Sequence, residues 1–322
     1  MRDILVTSQM AVALLLSVCS GLLTASFVRM HQADPGFRTA NLVTMNLSLP
    51  QSRYERPQQR EAFYRQALEK VASLPAVQQA AAVSALPLTG TNARLSPELD
   101  GVPAQPAARL PLVNYTVVSA GYFQTMGIPL LRGRQFDLQD REGTQAIAVI
   151  NDKLAQLYWA GQDPLGRRIR VAQGPWRTVV GVVADARQIL VKPAGPEVYV
   201  PHSQDPSPEM GLIVRSAGQP SSLIPSIRGA IRTLDRDLPV SGIQSMEEII
   251  SGYLPGAMIA GSLIFAGVAL LLAALGLYGM ISFQVTERTQ EIGIRMALGA
   301  TPANVRRLVL TRGLRLAAVS AA

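Results

Sequence analysis

The chain has 322 residues and a formal net charge of +8, with 48% hydrophobic and only 16% charged residues. A soluble globular chain carries about 25% charged residues, so part of this one is built for a medium other than water. Lys70, Lys153 and Lys192 are the only lysines, and the arginines that carry the remaining positive charge are dispersed rather than gathered into an aromatic-interleaved patch, which argues against nucleic acid as a partner.

Residues 4–28 contain no Asp, Glu, Lys or Arg. A helix rising 1.5 Å per residue needs about 20 apolar residues to cross the hydrocarbon core, so residues 1–30 are expected to hold a first transmembrane helix. The competing reading is a cleaved signal peptide, whose apolar region runs about 7–15 residues and ends in small residues. This segment is longer, and Arg29 follows it without a clear A-x-A site. Cys19, the only cysteine, excludes an intrachain disulfide, and Val18 directly before it is larger than a lipoprotein signal requires. His31 and His202 have no partner at zinc spacing.

Residues 31–252 read as a folded α+β domain. Val43, Met45, Leu47 and Leu49 alternate with Thr44, Asn46 and Ser48, the pattern of a half-buried strand over 42–49. A helix is predicted from Pro57, with Tyr64, Ala67, Leu68, Val71 and Leu74 on one face, ended by Pro75 and followed by a strand over 77–86. The plan recurs late in the domain: a strand over 212–215, a helix over 220–234 carrying Ile224, Ile227, Ile231 and Leu234, and a strand opening at 238–240. Two such units can join in one sheet covered by helices on one face, the split βαβ arrangement.

Between them a second, mixed α/β subdomain is expected. Ser119 is placed to cap a short helix that Gly127 closes, and Asn151 to cap another ending near Gly161. Residues 177–183 and 197–200 read as strands, and the Pro- and Gly-rich stretch 87–111 as a flexible connection.

Chemistry is sparse here. Residues 161–168 have the glycine spacing of a phosphate loop but lack its Lys and Ser/Thr, and no G-x-S-x-G nucleophile elbow occurs. Asp137, Asp140 and Glu142 could be a carboxylate pair, but Arg132, Arg134 and Arg141 interleave with them, as in a salt-bridged surface loop. Tyr158 and Trp159 read as core packing. The domain is not expected to be an enzyme, and no metal or cofactor site is expected.

Residues 249–286 again contain no charged residue. A second transmembrane helix is expected over 253–286, with Gly261, Ala266, Ala269, Ala273 and Gly276 letting neighbouring backbones approach closely. Beyond it lie Arg288, Arg295, Arg306, Arg307, Arg312 and Arg315, which place this side in the cytoplasm. Arg2 agrees and Arg29 opposes. A third span begins within 305–322, where only LAAVSAA follows Arg315, so the chain is expected to be a C-terminally truncated unit.

The stretch ERTQEIGIRMALGA (287–300) reads as a short amphipathic helix within a 287–304 helix and turn. Arg288, Glu291 and Arg295 fall on one face as an ion-pair ladder. Ile292 and Met296 lie together beside Gly293, Ala297 and Ala300, and Gly299 closes the helix. Thr301 and Pro302 open the next one. Such a helix can rest on lipid headgroups or dock in a groove of a soluble partner.

Residues 287–310 resemble the cytoplasmic signature of the MacB/FtsX-type ABC transporter permeases. The likeness continues in Asp34-Pro35-Gly36-Phe37, VSAGYFQTMGIPLLRGRQF (118–136), YWAGQDPLGRRI (158–169) and VVGVVADAR (179–187), which are similar to the MacB-like periplasmic core domain, notably in the branch whose members repeat the permease unit. The resemblance implies an inner-membrane permease, with the α+β domain (a split βαβ, porter-like subdomain and a mixed one) inserted between transmembrane helices and lying in the periplasm. It implies a partner ABC ATPase that binds the ATP and Mg, a second permease copy or half, and room for a periplasmic partner. Arg288, Glu291, Ile292, Gly293, Arg295, Met296, Gly299 and Ala300 would contact the ATPase, and the function implied is mechanical transmission of ATP hydrolysis to the outer domain. The alternative is a membrane-anchored sensor or ligand-binding protein without ATPase coupling.

Overall fold

The computed structural model describes residues 34–100, 111–190, 192–252 and 256–287, together with helical residues 12, 15–16 and 18–25. The chain divides into two compact units, Gln32–Tyr253 and a second formed by Met1–His31 with Leu254–Ala322.

In the first unit β1 (Leu42–Ser48) leads to α1 (Pro57–Ala72) and β2 (Val77–Val83). Pro57 occupies the first turn of α1, where its missing N–H costs nothing, and the Gln59 side chain accepts from the Arg56 N–H at 3.1 Å. Then come β3 (Ala93–Leu95), β4 (Pro97–Leu99), β5 (Val113–Val118), α2 (Tyr122–Met126) and β6 (Leu130–Gly133). The chain continues through β7 (Ile147–Asn151), α3 (Asp152–Tyr158), β8 (Arg168–Val171), β9 (Arg177–Val183) and β10 (Glu197–Pro201). It closes with β11 (Glu209–Ser216), α4 (Pro220–Leu234), β12 (Val240–Ser245) and α5 (Met246–Gly252).

One end of the sheet runs β12-β1-β11-β2 with every neighbouring pair antiparallel. This is the split βαβ order: β1 and β2 flank β11, and both helical crossovers return on the same face. On that face Val43, Met45 and Leu47 of β1 and Leu212 and Val214 of β11 pack against Tyr64, Ala67 and Val71 of α1 and Ile227 and Ile231 of α4. Each of these Val, Leu, Ile and Met side chains contributes about 1.5–3 kcal/mol on burial. The alternation expected for β1 fails at Thr44, which is fully buried and donates to the Gln244 carbonyl of β12 at 3.2 Å.

The other end of the sheet is mixed. β5 and β10 are parallel, β10 and β7 antiparallel, β7 and β9 parallel, and β8 and β4 complete the run antiparallel. β3 adds to β5 and β6 to β9. Two expectations need correction. The stretch 87–111 is not simply a connection: residues 93–95 and 97–99 are β3 and β4, and Leu99 enters the core. Ser119 does not cap α2, whose N-cap is Gly121 in the left-handed region. Gly127, with φ +68°, does close α2, and the Asn151 side chain accepts from Leu154 N at 3.1 Å to cap α3.

Ser119 is needed elsewhere. β2 and β5, where the two parts of the sheet meet, share a single residue pair, Val83 with Val118. Two serines extend this joint. Ala82 N donates to Ser119 Oγ at 2.8 Å and Val117 N to Ser84 Oγ at 2.9 Å, beside backbone bonds Ser84 N to Val117 O and Ser119 N to Ala82 O. Below the joint a shared core holds Ala81, Val83 and Ile213 from one side with Tyr122, Phe123, Met126, Val149 and Tyr199 from the other.

In the second unit α6 (Gly256–Glu287) is a helix of 32 residues with no charge before Glu287, about 48 Å at 1.5 Å per residue. Some of its side chains lie outside the described set, and the described residues of a helix do not by themselves supply an apolar run long enough to cross a membrane. Leu263, Ile264, Leu270 and Tyr278 of α6 and Leu15 and Leu22 of the first helix are exposed. The hydroxyls of Thr24 and Thr286 donate to the carbonyls of Ser20 and Ser282 one turn earlier in their own helices.

Candidate functional site

The residues predicted to meet an ATPase (Arg288, Glu291, Ile292, Gly293, Arg295, Met296, Gly299 and Ala300) lie outside the described residues. The other sequence candidates have bland surroundings. Asp140 accepts two bonds of 2.7 Å from Arg134 and one from Asp137 N, while Glu142 accepts from Gln58. This is a stitched surface loop rather than a carboxylate pair facing a cleft. Gly166 lies in a turn between α3 and β8 with φ +78°, and Trp159 is buried. Among the described residues no three His, Cys, Asp or Glu side chains come together as a metal site would require.

The group that sequence reasoning missed is Glu197. It opens β10 and is fully buried, a position rarely given to a carboxylate. Thr116 Oγ1 donates to it at 2.6 Å and Gln188 Nε2 at 2.8 and 3.0 Å, with Asn92 at 3.4 Å. Its own N–H donates to the capping side chain of Asn151 at 2.9 Å. Burial raises this carboxyl from 4.5 to about 7, against the pull of Thr116 and Gln188, which favour the charged form. The only signal in the sequence was a strand beginning with Glu, and alternation does not reveal which end of such a strand is enclosed.

His202 follows the same strand. Its N–H donates to Val118 O at 2.8 Å and its buried ring packs edge-on against Tyr64 of α1, 5.1 Å away. Burial lowers the imidazole from 6.5 to about 4. One strand thus carries a buried acid at one end, opposite Asn114 within the mixed part, and a buried base just past the other, beside the β2–β5 joint at Val118 and against the split βαβ part.

The chain's entry into this unit is tied to the same network. Asp34 Oδ1 accepts from Gly36 N at 2.8 Å, and Arg187 N donates to Pro35 O at 2.8 Å. Gly36 has φ +84°, and a Cβ there would stand 2.1 Å from Asp185 O, so only glycine lets the two backbones meet. Residue 187 adjoins Gln188, which holds Glu197. The exit runs through β12 and α5, in the split βαβ part. Entry and exit are therefore fastened to different parts of the sheet, and the narrow joint lies between them. A cleft of about 440 Å³ opens beside α5 on the face of β1 and β12 opposite α1 and α4, lined by Thr44, Asn46, Leu86, Leu88, Gln244 and Glu248 among others. The Glu248 carboxylate is occupied by Ser245 N at 2.9 Å.

The family profile for the MacB-like periplasmic core domain matches residues 7–234, and that for the FtsX-like permease C-terminal region matches residues 263–322. The chain is 30% identical over 204 residues to a probable export ATP-binding/permease protein of Pseudomonas fluorescens, covering 60% of this chain and 31% of that one. It is 28% identical over 205 residues to a macrolide export ATP-binding/permease protein, MacB, of Hahella chejuensis, with the same coverages. It therefore spans about a third of the length of these relatives. The crystallised periplasmic region of MacB from Actinobacillus actinomycetemcomitans overlays 70% of this chain and 97% of its own, with a TM-score of 0.46 and 14% identity. The chain belongs to the MacB/FtsX-type permease family.

Proposed function

We propose that this chain is the permease component of an inner-membrane ABC exporter, converting ATP hydrolysis by a partner ATPase into movement of its periplasmic domain. The observation that carries the reading is the order of the two family matches. The periplasmic core lies at 7–234, and the FtsX-like region at 263–322 contains all eight candidate coupling residues. The relatives' names join permease and ATP-binding functions. In this reading residues 4–28 and α6 cross the membrane, ATP and Mg reside on the partner, and two permease copies or halves work together. The coupling helix tilts when the ATPase closes, and the tilt reaches the outer domain through α6.

Chemistry at the helix face makes the test direct. Ile292 and Met296 supply its apolar contact, and a carboxylate placed in such an interface loses hydration without a partner. In the chain reconstituted with its ATPase, Ile292→Asp or Met296→Asp should cut permease-stimulated ATP hydrolysis at least about tenfold, the effect of losing one interface anchor. Membrane insertion, checked by protease protection, should stay normal. Unchanged stimulation in both variants would overturn the proposal.

A further inference from the structure

The Glu197 site is unfinished as a set of hydrogen bonds. No cation pairs with the carboxylate among the described residues, and the charge that acts on it is the like charge of Asp185. Asn92 Oδ1, Gln188 Oε1, Tyr122 Oη and Tyr199 Oη are buried near it without a hydrogen-bond partner among the described residues. All four are oxygens. The two amides that donate to Glu197 through nitrogen thus leave their own oxygens without donors. A proton on Glu197 supplies a donor, since an amide turned end for end accepts from a carboxyl O–H where it donated to a carboxylate. Without that proton the charge is buried with no counter-ion, and water is what relieves it.

Where water can enter is set by the walls. Thr116 of β5 and Tyr199 of β10 are paired across the parallel ladder, and Tyr122 is packed in the shared core. Residues 184–190, between β9 and β10, belong to no helix or strand. Ala186 and Leu190 pin this segment in the core, and Gln188 between them covers the carboxylate. Asn92 stands on the irregular stretch 89–92, where Gly90 lies against Ile189. The same segment fastens the entry of the chain, because Arg187 N donates to Pro35 O and Gly36 sits against Asp185 O.

We propose that Glu197 is a proton-operated latch: neutral, it keeps Gln188 seated; ionised, it admits water, lifts Gln188 and loosens residues 184–190 and the entry segment 34–37. The latch does not depend on ATPase coupling. Other titratable groups facing the site are few. From residues 184–190, Asp185 accepts from Asn151 and Lys153 N, and Arg187 donates to Leu190 O. From α3, Asp152 and Lys153 act on Asp185. From the entry, Asp34 accepts from Gly36 N. Burial keeps the hydroxyls of Tyr122 and Tyr199 protonated, and β5 and residues 89–92 present the neutral Thr116 and Asn92. His202 lies past the far end of β10, against Tyr64. Linkage fixes the sign. The enclosed carboxyl titrates near 7 and the hydrated one near 4.5, so opening releases a proton. Opening therefore grows about tenfold per pH unit between these values and levels off on either side.

Hydrogen–deuterium exchange of the full chain, read on peptides and corrected for the intrinsic pH dependence of exchange, tests the latch. Between pH 5 and 7 the protection of residues 184–190 and 36–38 should fall on the order of thirtyfold, while that of β11 holds. Glu197→Gln, neutral at every pH, should keep the low-pH protection at pH 7. Constant protection of the two segments, an equal loss in β11, or a pH dependence that survives Glu197→Gln overturns the inference. Should Glu197→Gln fail to fold, the wild-type profile against β11 still decides. Stimulation of the partner ATPase reports separately on the proposed function, since either result can fail while the other stands.

Discussion

The two parts of the outer sheet solve the same packing problem with different means. The split βαβ part lays helices of 16 and 15 residues across one face and fills the space with hydrocarbon. The mixed part has helices of only five and seven residues and encloses Glu197, Thr116, Gln188 and Asn151 in one hydrogen-bonded group. Long amphipathic helices bring enough apolar area to specify their own position. Where helices are short, strand order and loop position are set by polar partners that cannot be left unsatisfied. The first means is insensitive to pH, and the second is not.

The largest effect should come from the core the two parts share. Phe123 is 1% exposed and touches the rings of Tyr122, Phe136 and Tyr199 at centroid distances of 5.4, 6.0 and 5.0 Å. Phe123→Ala should cost about 3–5 kcal/mol. Trp159 and Trp176, the only tryptophans, lie in the mixed part, so their fluorescence reports that part, whereas far-ultraviolet dichroism reports both. In denaturant the two signals should shift together. If the fluorescence transition moves alone, the joint does not couple the parts.

How much of this was legible from residues follows the same division. The helix over 220–234 and the strands at 42 and 177 agree with the sequence expectations to within a residue, because an apolar stripe repeats along each. Thr44 defeats the alternation because β12 offers it a carbonyl that lies 200 residues away. β3 and β4 have three residues each, too short for any period to show. Ser119 has the local chemistry of a cap, yet a strand 37 residues earlier claims its hydroxyl. Glu197 is illegible for the same reason. Its burial depends on Asn92, Thr116 and Gln188 converging from separate segments, and Gly36 likewise reveals its need only when Asp185 is beside it.

A second effect sharpens the contrast through pH. Glu197 titrates near 7 in the folded chain against 4.5 when free, so the folded state keeps a proton that the unfolded state has lost between these values. Its contribution to stability is full below 4.5 and is lost as pH rises through 7. His202 titrates near 4 against 6.5 when free; its contribution is full above 6.5 and is lost as pH falls through 4. Each is on the order of 3 kcal/mol across its window. Because the slopes oppose, stability should be nearly level between pH 4.5 and 6.5. Glu197→Gln should unmask a fall toward acid, and His202→Phe a fall toward neutral pH. Denaturation midpoints at the two ends of the window decide this, and two variants as level as the wild type would show that neither group titrates as its burial requires.

The smallest effect lies where the mixed part reaches the surface. Asp140 is nearly buried, but its partner Arg134 is 47% exposed, and water screens the pair. Burial raises the Asp140 carboxyl, yet the bonds from Arg134 and from Asp137 N outweigh it and leave the carboxyl below its ordinary value. The stability it contributes is therefore present above 3.8 and is lost only as pH falls below that. Asp140→Asn should cost about 1 kcal/mol at neutral pH and almost nothing in strong acid, since an exposed ion pair is worth little more than that. The Asp140 carbonyl also accepts from Ser203, two residues beyond Pro201 at the end of β10, so the loop is fastened to the strand that carries Glu197. That bond survives the substitution. A loss much above 1 kcal/mol would mean that the carboxylate, rather than this backbone tie, holds the loop against β10, and that the mixed part depends on charge at its rim as well as at its centre.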